Sequence, residues 1–246
     1  MEKPLDGWLI INKDIGMTSR HIVNIIKKIL NVKKVGHAGT LDPGASGILV
    51  IAIGKATKLI HYIMEGNKKY KFSIKWGTTT DSHDADGKIL SFSKKKPKID
   101  KIKKILNNFK GKIFQKPPRF SAIKVNGKRA YDLARKGTKF TLKSRKVYLK
   151  TINMIDNVNE YNNKNLSSFQ IECGKGFYVR ALARDICKKL NVCGHIVKLE
   201  RIESEPFKIE NSVTIDNFLY LYKKNDWKNL FLPIYSVLNK IKNVEK

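Results

Sequence analysis

VGHAGTLDPGASGILVIAIG, residues Val35–Gly54, joins a loop to a strand. In its first half Gly36, Gly39, Pro43, Gly44 and Gly47 interrupt any regular element. Its second half, Ile48–Ile53, is an unbroken apolar run suited to a central strand buried on both faces. One carboxylate, Asp42, stands among small residues that let a ligand come close to the backbone. Pro43 biases Asp42 toward extended geometry and so fixes the direction of its carboxylate. The same residues also suit an ordinary Gly-rich bend whose Asp caps a helix or steadies the turn. Read by themselves, they leave both roles open.

Working outward, Gly7–Asn12 (GWLIIN) reads as a short buried strand. Thr18 or Ser19 can cap a helix whose apolar stripe is Ile22, Ile25, Ile26 and Ile29. A short helix is expected over Lys55–Met64. The plainest strand is Tyr70–Trp76, where Tyr70, Phe72, Ile74 and Trp76 alternate with Lys71, Ser73 and Lys75. Ile99, Ile102, Ile105, Leu106 and Phe109 have helical spacing with lysines opposite. Pro117-Pro118 breaks the chain, and Asn126-Gly127 signals a turn. Val147–Ile155 and Phe169–Cys173 read as strands. Val179, Leu182, Ala183, Ile186 and Leu190 mark an amphipathic helix, and Ile215–Lys224 another. The tail after Val237 is polar and expected to fray. Strands and helices follow no steady β-α-β rhythm, which points to an α+β, mixed-sheet fold.

Across 246 residues, Lys and Arg number 50 against 21 Asp and Glu, a formal net charge of +29. Such a field draws polyanions, so a nucleic-acid partner is expected, although a lysine-biased genome would leave a similar composition. No run of about 18 apolar residues predicts a membrane span. The N-terminus lacks a signal-peptide layout. Cys173, Cys187 and Cys193 form neither a disulfide framework nor a zinc pattern, and a cytoplasmic chain with reduced thiols is expected. The five histidines lack metal spacing, so no metal and no cofactor are expected. Gly174-Lys175-Gly176 fails as a dinucleotide fingerprint, and Gly54–Thr57 fails as a phosphate loop. Ser82–Gly87 resembles the start of a calcium loop, but Ser93 stands where the closing Glu belongs; it reads as a turn.

Lysines over Lys94–Lys104 read as a solvated helix face. The Pro117–Lys139 region suits RNA better. It interleaves Arg119, Lys124, Lys128, Arg129, Arg135 and Lys136 with Phe120 and Tyr131, pairing charge for phosphates with rings for unpaired bases. Arg180 lies four residues before Arg184, so two like charges share one face of a predicted helix. A nearby anion would relieve that repulsion: Asp42, an RNA phosphate, or both.

The Gly36–Gly47 segment strongly resembles the catalytic motif of the bacterial-type tRNA pseudouridine-55 synthase family. The resemblance extends in order from about Gly7 to Phe207. Gly7–Asn12 with Gly16–Ser19 is similar to the family's opening strand and turn, and Lys69-Tyr70-Lys71 to its tyrosine strand. Lys116–Ala122 is similar to its RNA-binding insertion, and Lys175–Arg180 to its basic motif. The resemblance implies the pseudouridine synthase fold, with a largely antiparallel central sheet flanked by helices and loops. It implies Asp42 as the catalytic aspartate and Arg180 as its partner. It implies His37, Tyr70, Tyr178 and Leu199 as contacts to a flipped uridine, no cofactor, the tRNA T-arm as partner, and a monomer. Lys13, Arg119, Lys124, Lys128 and Arg129 are further candidates for RNA contact. Many relatives have Lys-Pro where this chain has Lys13-Asp14. Many also carry a C-terminal PUA domain, and this chain is expected to lack a complete one. The expected layout is a catalytic domain over 1–210, with an RNA-binding insertion near 112–140, and a short helical extension over 211–246. The alternatives are a non-catalytic RNA-binding protein on the same fold, or a basic ribosome-associated protein.

Overall fold

The computed structural model describes residues 5–155 and 165–238. In chain order the first elements are β1 (Gly7–Lys13), α1 (Ser19–Ile29), β2 (Val35–His37), β3 (Ser46–Ile53), α2 (Ile60–Glu65) and β4 (Lys68–Trp76). There follow β5 (Thr78–Thr80), β6 (Ile89–Phe92), α3 (Ile99–Leu106), β7 (Gly111–Gln115), β8 (Lys124–Val125), β9 (Lys128–Arg129) and α4 (Ala130–Arg135). Then come β10 (Arg145–Ile155), β11 (Leu166–Cys173), α5 (Val179–Leu190) and β12 (Gly194–Ser204). The last described elements are β13 (Phe207–Lys208), β14 (Val213–Thr214), α6 (Ile215–Lys223), β15 (Phe231–Pro233) and α7 (Ile234–Leu238). The fold is α+β. Its strand pairs are mixed, with parallel pairing of β1 with β14 and of β3 with β12, and antiparallel pairing in the other registers resolved.

The chain forms two compact units, one of Met1–Tyr70 with Leu199–Lys246 and the other of Lys71–Lys198. In the first, the strand order is β14-β1-β3-β12, with β15 added to β1, β2 to β3 and β13 to β12. Strands β1 and β3 are buried on both faces, and their period of two sorts them. Leu9, Ile11, Leu49, Ile51 and Ile53 enter one apolar cluster with Ile22 and Ile26 of α1. Trp8, Ile10, Ile48, Val50 and Ala52 enter another with Ile63 of α2. Thr18 caps α1, its hydroxyl accepting from the His21 N–H at 3.1 Å. The expected Lys55–Met64 helix opens as a tight 3-10 turn over Gly54–Leu59, and only Ile60–Glu65 is α-helical. There the Thr57 hydroxyl donates to the Gly54 carbonyl at 2.6 Å, and the Asp6 carboxylate accepts from the Lys55 N–H at 2.7 Å.

In the second unit the order is β12-β4-β11-β10-β7, with β5-β6 and β8-β9 as separate two-stranded ribbons. Phe72 of β4 stacks on Phe169 of β11 at 5.2 Å between ring centroids. Helix α5 buries Val179, Leu182, Ala183 and Ile186. Asn126 and Gly127 both have positive φ, 49° and 78°, the geometry that a two-residue hairpin between β8 and β9 needs. Residues 239–246, most of the polar tail, lie outside the described residues.

Candidate active site

Asp42 is half-buried at the head of a turn, its carbonyl accepting from the Ala45 N–H at 3.0 Å. Three buried side chains hold this loop. The Ser19 hydroxyl donates to the Leu41 carbonyl at 3.0 Å and accepts from the Leu41 N–H at 2.9 Å. The Lys13 ammonium donates to the carbonyls of Asp14 and Met17 at 2.9 Å, and of Pro43 at 3.4 Å. Arg201 of β12 donates from Nε to the Ile48 carbonyl at 2.7 Å and from a terminal nitrogen to the Gly39 carbonyl at 3.0 Å. The loop is thus fixed just before Asp42, just after it, and where it enters β3. The opening turn also joins in, the Gly16 N–H donating to the Pro43 carbonyl at 2.8 Å.

Gly47 makes this arrangement possible. Its φ is +100°, and a Cβ there would lie 2.3 Å from the Arg201 carbonyl oxygen, so only glycine lets β3 and β12 pair at this point. Burial pushes the Lys13 ammonium from its usual 10.5 down to about 8. The Asp14 and Asp42 carboxylates pull back, and Arg201 adds to the depression. His37 ends β2 opposite Ile51. Burial, and then the Arg201 charge, hold its imidazole below the ordinary range, against a smaller opposing pull from the Gly39 backbone. Its Nδ1 is buried and makes no hydrogen bond of ordinary geometry among the described residues. Tyr70 and Leu199, both half-buried, pack against the cluster that contains Leu41 and Ala45. His37, Asp42, Tyr70 and Leu199 therefore belong to one unit and to one loop-and-cluster assembly.

Tyr178 and Arg180 belong to the second unit. The Gln115 side chain clasps the Tyr178 backbone at the start of α5, its oxygen accepting from the N–H at 2.8 Å and its nitrogen donating to the carbonyl at 3.0 Å. Arg180 is buried and donates to the carbonyls of Phe120 at 2.8 Å and Ser82 at 3.2 Å. Its guanidinium also lies 3.3 Å from the Asp84 carboxylate, while Arg184 meets Asp185 at 2.8 Å. Each of these two arginines, four residues apart on α5, thus has a carboxylate within its own unit. The Ser82–Gly87 turn is what supplies Asp84: the Ser82 hydroxyl donates to that carboxylate, and so does the Asp86 N–H at 3.2 Å.

Among the RNA candidates, Arg119, Lys124, Lys128 and Arg129 are exposed. Arg119 donates to the Thr138 carbonyl at 2.9 Å and covers the Phe140 ring at 5.1 Å. Arg129 donates to the Ala122 carbonyl and sits opposite Lys124 in the hairpin, a like-charge pair that a polyanion would stabilise. Lys13 is placed differently. It continues β1 into the interior and spends its ammonium on backbone carbonyls. Arg201, Ser19, Gln115 and Asp84 are the site residues that sequence reading missed. Ser19 and Asp84 fall in stretches that the sequence marked only as a cap and a turn, and the loop partners of Ser19 and Arg201 lie 22 to 162 positions away. No helix among the described residues is long and apolar enough to cross a membrane.

Comparison with known proteins identifies the family. Residues 27–179 match the family described as TruB family pseudouridylate synthase, N-terminal domain. The tRNA pseudouridine synthase B of Ehrlichia ruminantium (strain Gardel) is 44% identical over 239 residues, spanning 97% of this chain and 80% of that one. That of Bartonella henselae is 45% identical over 214 residues, 87% of this chain and 66% of its own length. A chain in the crystal structure of a Cbf5-Nop10-Gar1 complex superposes with a TM-score of 0.73 at 26% identity, over 95% of this chain and 62% of that one. The matched span contains the Asp42 loop, Tyr70 and Tyr178, and on these grounds the chain belongs to the TruB family of pseudouridylate synthases.

Proposed function

We propose that this protein isomerises uridine-55 in the T-loop of tRNA to pseudouridine, acting as a cytoplasmic monomer on the T-arm. The observation that carries the reading is the Asp42 loop, a carboxylate on a bend held from three sides by Ser19, Lys13 and Arg201. The reaction breaks the C1′–N1 bond, turns the uracil, and joins C5 to C1′; N1 gains a hydrogen, and the hydrogen on C5 leaves to solvent. It needs no redox step and no phosphate energy. A carboxylate suits it as nucleophile on sugar or base, or as a base toward the ribose.

The uridine must first leave its stack, at a cost of a few kcal/mol that pocket contacts offset. We assign stacking and hydrogen bonding to His37 and Tyr70, apolar contact to Leu199, and further substrate contact to Tyr178 and Arg180. Arg119, Lys124, Lys128 and Arg129 are assigned to the tRNA backbone, within an insertion near 112–140. Lys13 serves from inside by holding the turn behind Asp42.

The test is tritium release from a T-arm transcript carrying 5-tritiated uridine, with chelator present. The protein is expected to release tritium. Asp42→Asn is expected to release none while binding the transcript as before. Turnover by a pure Asp42→Asn sample would defeat the assignment, and binding without release by the parent protein would favour a non-catalytic RNA-binding role.

A further inference from the structure

Strands β7 and β10 pair with Lys112 opposite Tyr148 and Phe114 opposite Lys146. The residues between them, Val147 and Leu149, are buried, so these four side chains share the other face of the ribbon. Phe114 is 75% exposed and Tyr148 44%. On the far side of Tyr148 lies Gly174, whose N–H donates to the Tyr148 carbonyl at 3.0 Å. Gly174 adds no side chain beside Tyr148, where a Cβ would come within 3.7 Å of the Tyr148 Cβ. Lys150 is tied to Glu172 at 2.7 Å, whereas Lys112 and Lys146 have no ion pair among the described residues.

Lysines often guard an edge strand against unwanted pairing. A guard gains nothing from a phenylalanine three-quarters in water, and isolated apolar exposure does not explain two rings on one face. The pattern is a checkerboard of ring, cation, ring, cation, with the two rings on a diagonal of about 7–8 Å. The partner that matches it offers flat apolar faces and regularly spaced anions together. An acidic peptide would use only the lysines, and an apolar protein surface would strand them. We propose that this face of β7 and β10 is a stacking platform for unpaired RNA nucleotides, built from residues that the candidate active site does not use.

The test is binding of the full chain to a fluorescein-labelled single-stranded oligouridylate and to an RNA duplex of equal charge, by anisotropy at fixed salt. Phe114→Ala with Tyr148→Ala is expected to weaken single-strand binding about tenfold for each base left unstacked, with duplex binding within about twofold of the parent. At saturating T-arm transcript the kcat for tritium release should be unchanged, because neither ring belongs to the candidate active site, and this keeps the inference separate from the catalytic one. Tryptophan at both positions should restore binding, and leucine at both should not. Lys112→Gln with Lys146→Gln should lower the salt slope by about one to two. Unchanged single-strand affinity in the alanine pair would overturn the proposal. So would an equal loss on the duplex, or rescue by leucine, which would mark an apolar protein-docking face instead.

Discussion

Arg201 donates to the Gly39 and Ile48 carbonyls, so truncating it frees the Asp42 loop on both sides. In Arg201→Met those two acceptors lose their donor, at about 1–3 kcal/mol each where they stay buried. The thermal midpoint should fall by several degrees, at about 2–4 °C per kcal/mol for a chain this long. A shift of about 1 Å in Asp42 should also lower kcat about a hundredfold, with KM for the RNA little changed. Thermal melting and tritium release at saturating transcript check both, and full kcat in the folded variant would deny Arg201 a positioning role. Asp42 itself was legible because its glycines and Pro43 are neighbours in sequence. Arg201 was not, because an arginine in a chain this basic reads as solvated until its acceptors are known.

The β5–β6 segment illustrates how an element sets a titration. His83, at φ +64°, is held down to about pH 4 from its usual 6.5. Burial is the main cause, then the Arg184 and Arg180 guanidinia, opposed by Asp185 and Asp84. Between about pH 4 and 6.5 the unfolded chain therefore binds more protons than the folded one, so this contribution is complete above 6.5 and is lost as pH falls. His83→Asn tolerates the left-handed backbone and removes the group. Its acid-unfolding midpoint, followed by far-UV circular dichroism, should move to lower pH than the parent's; an unmoved midpoint would deny His83 any part in acid stability. The regular elements were readable wherever periodicity was clean: β3, β4 and α5 stand where Ile48–Ile53, Tyr70–Trp76 and Val179–Leu190 placed them. Strand β12 was missed, because Lys198, Glu200, Arg201 and Glu203 look like loop. Arg201 is buried only because backbone carbonyls receive it, and Glu203 is accommodated by Lys69 at 2.9 Å.

A net charge of +29 makes RNA binding by the whole molecule a counterion-release process. If six or more phosphates are neutralised, affinity for tRNA should fall by about a thousandfold or more between 50 and 200 mM salt. A filter-binding series in KCl measures the slope, and a flat response would mean that the charge is solvating rather than functional. Composition already carried that expectation, and short-range order carried much more. Apolar periodicity marks which side of a segment is dry, so β1, β3, β4, β10 and β11, helices α1, α3, α5 and α6, the hairpin at Asn126-Gly127 and the Asp42 loop could all be read in one dimension, whereas β7, β12, α4 and α7 could not. The partners of buried polar groups could not. Lys13 with Pro43, Ser19 with Leu41, Arg201 with Gly39 and Arg180 with Asp84 are contacts across 22 to 162 positions. A buried charge is tolerable only where folding brings it an acceptor, and no local pattern says which acceptor that will be.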